Sequence, residues 1–338
     1  MTSEVNNHQD YVAYFMLLVT MIIWGTSWPL GRVLVTNLSS LPDFLTGPPI
    51  PQFLLAFVRY TLVVPLFFLI LWMREKSFGL DFARKHFPLL LVMGILSVPI
   101  YQAGYLFGET YTAASDASIL IATSPIWVLL LSVIFLKKPV FPIKLLGVLL
   151  GFAGAVTIAT LSPHTSFQDR MLGNALILMA SMAYASYTVA LHYLMDGYAN
   201  GEPNKPSSLQ VITWVSLFGF LSMFPLLPLL PPESLNIVYY STIPKFWIGV
   251  LYLAFLSTIV AYLFYVESVF RLGANRAVIF VNFIPIVGVL LSGLFLPDEE
   301  IDLVIHSASF LLVLLGITLV NKKFGAERGI QAAAKASG

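Results

Sequence analysis

Residues 113–136 read AASDASILIATSPIWVLLLSVIFL, and 160 positions later residues 273–296 read GANRAVIFVNFIPIVGVLLSGLFL. Ten of the 24 aligned positions are identical. Two apolar stretches of this composition would agree by chance at about a tenth of positions, so the pair is an internal repeat. Pro125 lines up with Pro285. Each proline interrupts a continuous apolar run, where it removes one helical hydrogen bond, and a membrane helix tolerates this when neighbours satisfy the freed carbonyl. The two halves are therefore expected to carry a kinked helix at the same place.

Working outward, the whole chain has the composition of the repeat. Its 338 residues are 58% hydrophobic and 10% charged, and the apolar residues fall in runs of bilayer length, which predicts a polytopic membrane protein. Met1–Asp10 contains no Lys or Arg, so the first apolar segment lacks the basic flank of a cleaved leader and is expected to be retained. The chain has no cysteine, which excludes disulfides, thiol catalysis and thiolate metal sites. A net charge of +1 without a basic patch gives nucleic acid nothing to bind.

Hydropathy marks ten segments, at about 11–35, 52–73, 87–108, 113–136, 141–161, 171–194, 208–230, 245–269, 274–296 and 302–321. Counting Lys and Arg in alternate connections puts fourteen on one side, from Arg74 to Lys335, and only Arg170 and Lys245 on the other. By the positive-inside rule both termini are expected to be cytoplasmic, in the plasma membrane of the cell. Five segments per half is an odd number, so the second copy must cross the membrane inverted. The expected fold class is all-α and integral to the membrane, ten helices in a 5+5 inverted-topology repeat. Residues 1–162 and 163–324 form the repeats, and 325–338 a cytoplasmic tail. Further matches support it: Trp24-Gly25-Thr26-Ser27 lies over Tyr184-Ala185-Ser186-Tyr187, and Gly104-Tyr105-Leu106-Phe107 echoes Ala261-Tyr262-Leu263-Phe264. Inverted repeats let secondary transporters alternate between inward- and outward-open shapes around a midplane site.

The fourth segment with its exit, ASILIATSPIWVLLLSVIFLKKPVFPIKLLGVLLGFAGAV, and the ninth, LGANRAVIFVNFIPIVGVLLSGLFLPDEE, resemble the two EamA repeats of the drug/metabolite transporter superfamily. Trp24-Gly25 and Arg59-Tyr60 are similar to further family features, so the resemblance covers nearly the whole chain. It implies a 5+5 fold with a cavity bounded by segments 1, 3, 4, 6, 8 and 9. The substrates it implies are small metabolites, often amino acids, and the direction often export. The chain departs from the family pattern after the fourth segment, where Lys137-Lys138 replaces the usual Gly-Glu, while the second copy keeps an acid at Glu299.

Candidate site residues follow from polarity inside apolar spans. Ser115, Ser118 and Ala122 match Asn275, Val278 and Asn282 on one helical face. Polar groups facing lipid are costly, so this face is expected to look inward, for interhelical bonding or for a ligand. Trp24, Tyr101, Tyr184 and Tyr262 lie too deep for an interfacial belt and join Ser118 and Asn282 as the expected substrate contacts, with Trp28, Tyr105, Tyr187 and Tyr265 beside them. Pro125 and Pro285 are the expected gating kinks. Glu109 and Glu267 end the third and eighth segments, as solvated caps or as coupling groups. Arg59 stands well inside the second segment and needs snorkelling or a partner, as an anchor first and a substrate contact second. His192 and His306 have no acid or histidine at i+4, so no metal ligation and no cofactor are expected. Asp298, Glu299, Glu300 and Asp302 read as a solvated acidic turn, and Gly147, Gly151 and Gly154 as a close-packing stripe whose partner is an internal helix or a second subunit.

Three function classes remain, one of them a non-transporting scaffold or receptor, because architecture does not prove flux. An integral-membrane enzyme acting on lipid-linked substrates would need clustered acids or a base–nucleophile pair, and apart from the turn at Asp298 none is visible. A secondary transporter, monomeric or weakly dimeric in the lipid bilayer, uses the repeat directly. Phosphorylated substrates would call for Lys or Arg mid-span, whereas only Arg59 and, near a helix end, Arg32 lie there, so neutral or zwitterionic solutes are expected. The topology is open to direct test in this cysteine-free chain. Single cysteines near Thr46 or Ser234 are expected to react with an impermeant maleimide from outside intact cells, and one at Ser77 only after lysis; the reverse pattern would overturn the assignment.

Overall fold

The computed structural model describes residues 2–38, 41–137, 140–163, 167–199, 205–272, 280–296 and 299–321, and every regular element among them is helical. Nine helices are long and apolar enough to cross a bilayer among the described residues: α1 (Tyr11–Val35), α2 (Gln52–Glu75), α3 (Phe87–Tyr111), α4 (Ala114–Leu136), α5 (Pro142–Leu161), α6 (Gln168–Met195), α7 (Ser208–Leu229), α8 (Pro244–Val269) and α10 (Leu303–Asn321). The tenth, α9, is shorter at Phe283–Phe295. Asn275, Arg276, Val278, Asp298 and the basic tail from Lys322 onward lie outside the described residues.

Helix packing repeats with the sequence. Exchanging each helix of the first half for its counterpart maps one set of contacts onto another: α3 against α6 is matched by α8 against α1, α4 against α6 by α9 against α1, and α3 against α7 by α8 against α2. The pairs α4–α9 and α5–α10 are their own counterparts. With five crossings per half, this is the packing expected of an inverted repeat about an axis in the membrane plane.

The glycine stripe of α5 has an internal partner, α10. A Cβ added to Gly147 would stand 2.7 Å from the Gly316 carbonyl oxygen, and one on Gly316 would stand 2.6 Å from that of Gly147. In lipid no hydrophobic force draws helices together, so close backbone approach through small residues does much of the work.

The prolines produce breaks rather than smooth kinks. In α4 the helix is interrupted at Ala122-Thr123, and a new turn starts at Ser124 with Pro125 in its first turn, where its missing N–H is harmless. Pro125 leaves the Ile121 carbonyl without its helical donor, and the Ser181 hydroxyl of α6 donates to it at 3.4 Å. The Thr123 hydroxyl donates to Leu120 O at 2.7 Å and lies 3.2 Å from Ser181 Oγ. In α9 the break falls on Asn282, which precedes the helical run Phe283–Phe295 containing Pro285.

Two irregularities escaped the sequence reading: α3 widens to a π-helical turn at Leu96–Ile100, around Pro99, and α8 does so at Tyr252–Val260. These occupy corresponding places in the repeat-related helices. In α8 Thr258 caps a displaced carbonyl by donating to Leu253 O at 2.7 Å. Such bulges turn side chains out of the regular helical register and are common at functional sites.

The α5–α10 contact makes a stability prediction. Gly316→Leu forces a side chain into backbone and is expected to cost about 1–3 kcal/mol, read as a lower melting temperature in detergent, whereas Thr318→Leu on the exposed face of the same helix is expected to leave it unchanged.

Candidate functional site

The four irregular helices meet around a central cavity of about 220 Å³. Of the six expected contact residues, Trp24, Tyr101, Tyr184, Tyr262 and Asn282 line it, as do Pro125 and Pro285. Ser118 does not. It is fully buried, donates to Ser115 O at 2.8 Å and backs onto Gly288 of α9, so its hydroxyl serves the α4–α9 contact. Sequence spacing put it on the inward face correctly, but that face meets another helix before it reaches open space.

Aromatic rings form the walls. Trp24 stacks edge-on to Tyr262 at 5.5 Å and lies 5.4 Å from Tyr265, while its indole N–H donates to Ser257 O at 2.9 Å, which ties α1 to the π-helical part of α8. Across the cavity Trp28, Tyr105, Tyr101, Tyr184 and Tyr187 follow one another with centroid spacings between 4.9 and 6.3 Å. Tyr184 is 40% exposed although mid-span, because it faces the cavity. Ser27 Oγ donates to Ser257 Oγ at 2.9 Å, and Tyr105 donates to the Ser27 carbonyl. Polar-tipped rings at this depth have found protein partners or the cavity, as lipid requires.

Arg59 also lines the cavity. Its Nε and Nη2 both donate to Thr258 Oγ1, at 3.0 and 2.7 Å, and Nη1 donates to Gln102 Oε1 at 3.4 Å. The anchoring role read from sequence is therefore present, but the anchor sits in the cavity wall.

The lining extends to Asn321 in the last turn of α10, yet stops at Trp28, Arg59 and Tyr105, each six or seven residues short of the opposite end of α1, α2 and α3. That opposite end is sealed by buried charge, and here several expectations need correction. Glu109 is no solvated cap: it is fully buried, within electrostatic reach of Arg32 and Glu299, and neither of its carboxyl oxygens has a hydrogen-bond partner among the described residues. Room for it comes from Gly31, where a Cβ would collide with the Glu109 carboxyl and the Tyr105 hydroxyl. Nor is Glu299 part of a solvated turn. It is 7% exposed and caps the start of α4, accepting from Ala114 N at 2.8 Å and from Ser115 N and Oγ at 3.2 and 3.1 Å, with Arg32 Nε at 3.7 Å. Burial pushes its carboxyl above the usual carboxylate range, while the Ala114 N–H, Arg32 and Ser115 pull it back. Arg32 also donates to the Glu109 carbonyl.

His306 found an acid that no i+4 rule could show, since Nε2 lies 3.2 Å from Asp116 Oδ1 and Nδ1 lies 2.8 Å from Asp302 O. Lys245, 1% exposed, donates to Val33, Thr36 and Gly47 carbonyls and closes off the C-terminal end of α1. Glu267, by contrast, makes a partly exposed pair with Arg271 at 2.8 Å at the other end of the bundle.

Comparison with known proteins agrees with this arrangement. The model of the EamA-like transporter family matches residues 11–160 and 171–322. An uncharacterized transporter of Bacillus subtilis (strain 168), YetK, is 29% identical over 320 residues, spanning 92% of this chain and 88% of its own. An uncharacterized transporter of Archaeoglobus fulgidus is 28% identical over 316 residues, covering 92% of this chain and 99% of its own. A crystal structure 16% identical in sequence superposes with a TM-score of 0.56 over 91% of this chain and 96% of the other, which is a likeness of fold.

The sealed end makes its own prediction. Arg32→Met leaves two buried carboxyl groups without their cation, a loss expected to cost about 3–5 kcal/mol, read as a steep fall in melting temperature. Glu109→Gln, which removes one negative charge and keeps the shape, is expected to be neutral or stabilising. A fall with Glu109→Gln as large as with Arg32→Met would show that the carboxylate of Glu109 is needed in the closed shape.

Proposed function

The chain belongs to the EamA-like transporter family and crosses the membrane many times, and from that footing we propose that it is a secondary transporter of small neutral or zwitterionic organic solutes, amino acids or related metabolites. Its two inverted repeats alternate access to the central cavity, it acts in the plasma membrane with both termini in the cytoplasm, and the direction is export. One observation carries the reading: a cavity walled by tyrosine and tryptophan rings lies where the broken α4 and α9 meet the π-helical turns of α3 and α8. Rings cover the apolar part of a solute, and Asn282 with the backbone at the α9 break supplies the directional polar contacts. Among the described residues no Lys, Asp or Glu lines the cavity, which disfavours multiply charged solutes such as phosphosugars. The shape described, closed by the Arg32, Glu109 and Glu299 cluster and reaching Asn321 at the other end, is the inward-facing member of the pair.

Flux tests this directly. Proteoliposomes containing the purified protein are expected to move amino acids in preference to nucleosides and phosphosugars. Asn282→Ala is expected to raise the half-saturating concentration about two- to tenfold, the loss of one hydrogen bond worth ~0.5–1.5 kcal/mol, whereas Ser118→Ala, outside the lining, leaves it unchanged. Phosphosugar flux exceeding amino acid flux would overturn the substrate class.

A further inference from the structure

Arg59 is 8% exposed, and a buried guanidinium in a membrane span ordinarily lies against a carboxylate. Here it does not. The ion pairs among the described residues are Arg32 with Glu299, Arg271 with Glu267 and His306 with Asp116, and the groups that Arg59 meets, Thr258, Gln102 and the Tyr60 ring 5.7 Å from its guanidinium carbon, are neutral. Hydroxyl and amide dipoles stabilise the cation in part but leave its charge uncompensated. The orientation is informative. Thr258 Oγ1 accepts from Nε and Nη2 together, so it occupies the side edge of the fork. That leaves the end edge, the facing N–H groups of Nη1 and Nη2, with only the long 3.4 Å bond from Nη1 to Gln102 nearby. The end edge of a guanidinium matches the two oxygens of a carboxylate.

We propose that Arg59 is the anion-recognition group of the cavity, binding the carboxylate of the transported solute end-on, so that the substrate class is the monocarboxylates, zwitterionic amino acids included. This rests on the transporter reading and adds to it the group that fixes substrate orientation. The cavity itself sets the limits of the class. Among the described residues its lining holds one Arg and no Lys, Asp or Glu, so a monoanion neutralises that charge, a dianion would leave a charge unmatched, and a cation meets like charge. Trp24, whose indole donates to Ser257 O, lines the same cavity with Tyr262 and Tyr265, and these rings supply apolar cover for the rest of the molecule. An ammonium group, where the solute has one, finds ring faces and the carbonyls at the α9 break. Because Gln102 and Thr258 sit on the two π-helical helices, a carboxylate on Arg59 would also join the bulged turns of the two halves.

The test uses the full-length protein in lipid nanodiscs and the fluorescence of Trp24 and Trp28, which line the cavity. The probes are 3-phenylpropionate, its uncharged amide and L-phenylalanine. The two carboxylates are expected to bind at least about tenfold more tightly than the amide. Arg59→Gln is expected to erase that difference by weakening the carboxylates alone, and Arg59→Lys to restore part of it. Equal affinity of acid and amide for the unmutated protein, or no binding of either, overturns the proposal without any variant having to fold. So does an Arg59→Gln variant that weakens acid and amide alike. Flux in proteoliposomes separates the two readings. Carboxylate-selective binding with no flux of any probe supports the Arg59 site and overturns transport, whereas equal protein-dependent flux of 3-phenylpropionate and its amide supports transport and overturns the Arg59 site.

Discussion

A backbone N–H or C=O left without a partner in hydrocarbon costs several kcal/mol, so a membrane chain holds non-helical backbone only where protein or a water-filled space receives it. This protein interrupts four of its helices near mid-membrane, and the rest of the structure is arranged to meet that constraint. Ser181 reaches the carbonyl that Pro125 orphans, Thr258 takes the carbonyl displaced by the π-helical turn of α8, and Trp24 and Ser27 tie to Ser257 on the same turn. Of these, Trp24, Ser27, Ser257 and Thr258 also border the cavity. Cavity wall and helix repair are largely one structure, and polar substitutions here act on both.

Charge is distributed to the same end. At one side of the bundle Glu109 and Glu299 are packed away from water, together with Asp116, His306 and Lys245, and Arg32 beside them is nearly so. Two carboxyl groups share one guanidinium, and one of them, Glu299, holds the first turn of α4 through its N–H groups. A cluster of this kind gains little over apolar packing when closed, since the cost of taking ions out of water offsets most of their attraction. It is well suited to a seal that opens, because hydration of the same groups stabilises the open shape as apolar packing would not. At the other side the Glu267–Arg271 pair is partly exposed and ordinary for a surface helix.

The inverted repeat is close in packing and unequal in chemistry. Several helix contacts exchange in pairs between halves, and both halves carry a proline break and a π-helical turn. Among the described residues the cation of the cavity nevertheless comes from α2, and Asn282 corresponds to Ala122 in the first copy. Shared shape and differing side chains thus coexist in one cavity wall.

The sequence by itself determined the number of crossings, the repeat and its inversion, because bilayer-length hydropathy and the Gly273–Leu296 copy are written along one chain and need no partner to be read. It also put Trp24, Tyr101, Tyr184, Tyr262 and Asn282 on inward faces, since polar tips at that depth have few other places to go. Tertiary structure alone decided which inward residues reach open space and which meet a neighbouring helix. Ser118 is stopped by Gly288, whereas Arg59 passes from anchor to cavity wall. Acids that end a helix or fill a turn look solvated in sequence, and only the approach of α1 to the α9–α10 connection shows Glu109 and Glu299 buried around Arg32. Pro99 was a local hint of the bulge in α3, while α8 gave none. The common reason is range: periodicity and hydropathy act over a few turns of one helix, but burial, ion pairing and access depend on residues as far apart as 32 and 299, which only packing brings together.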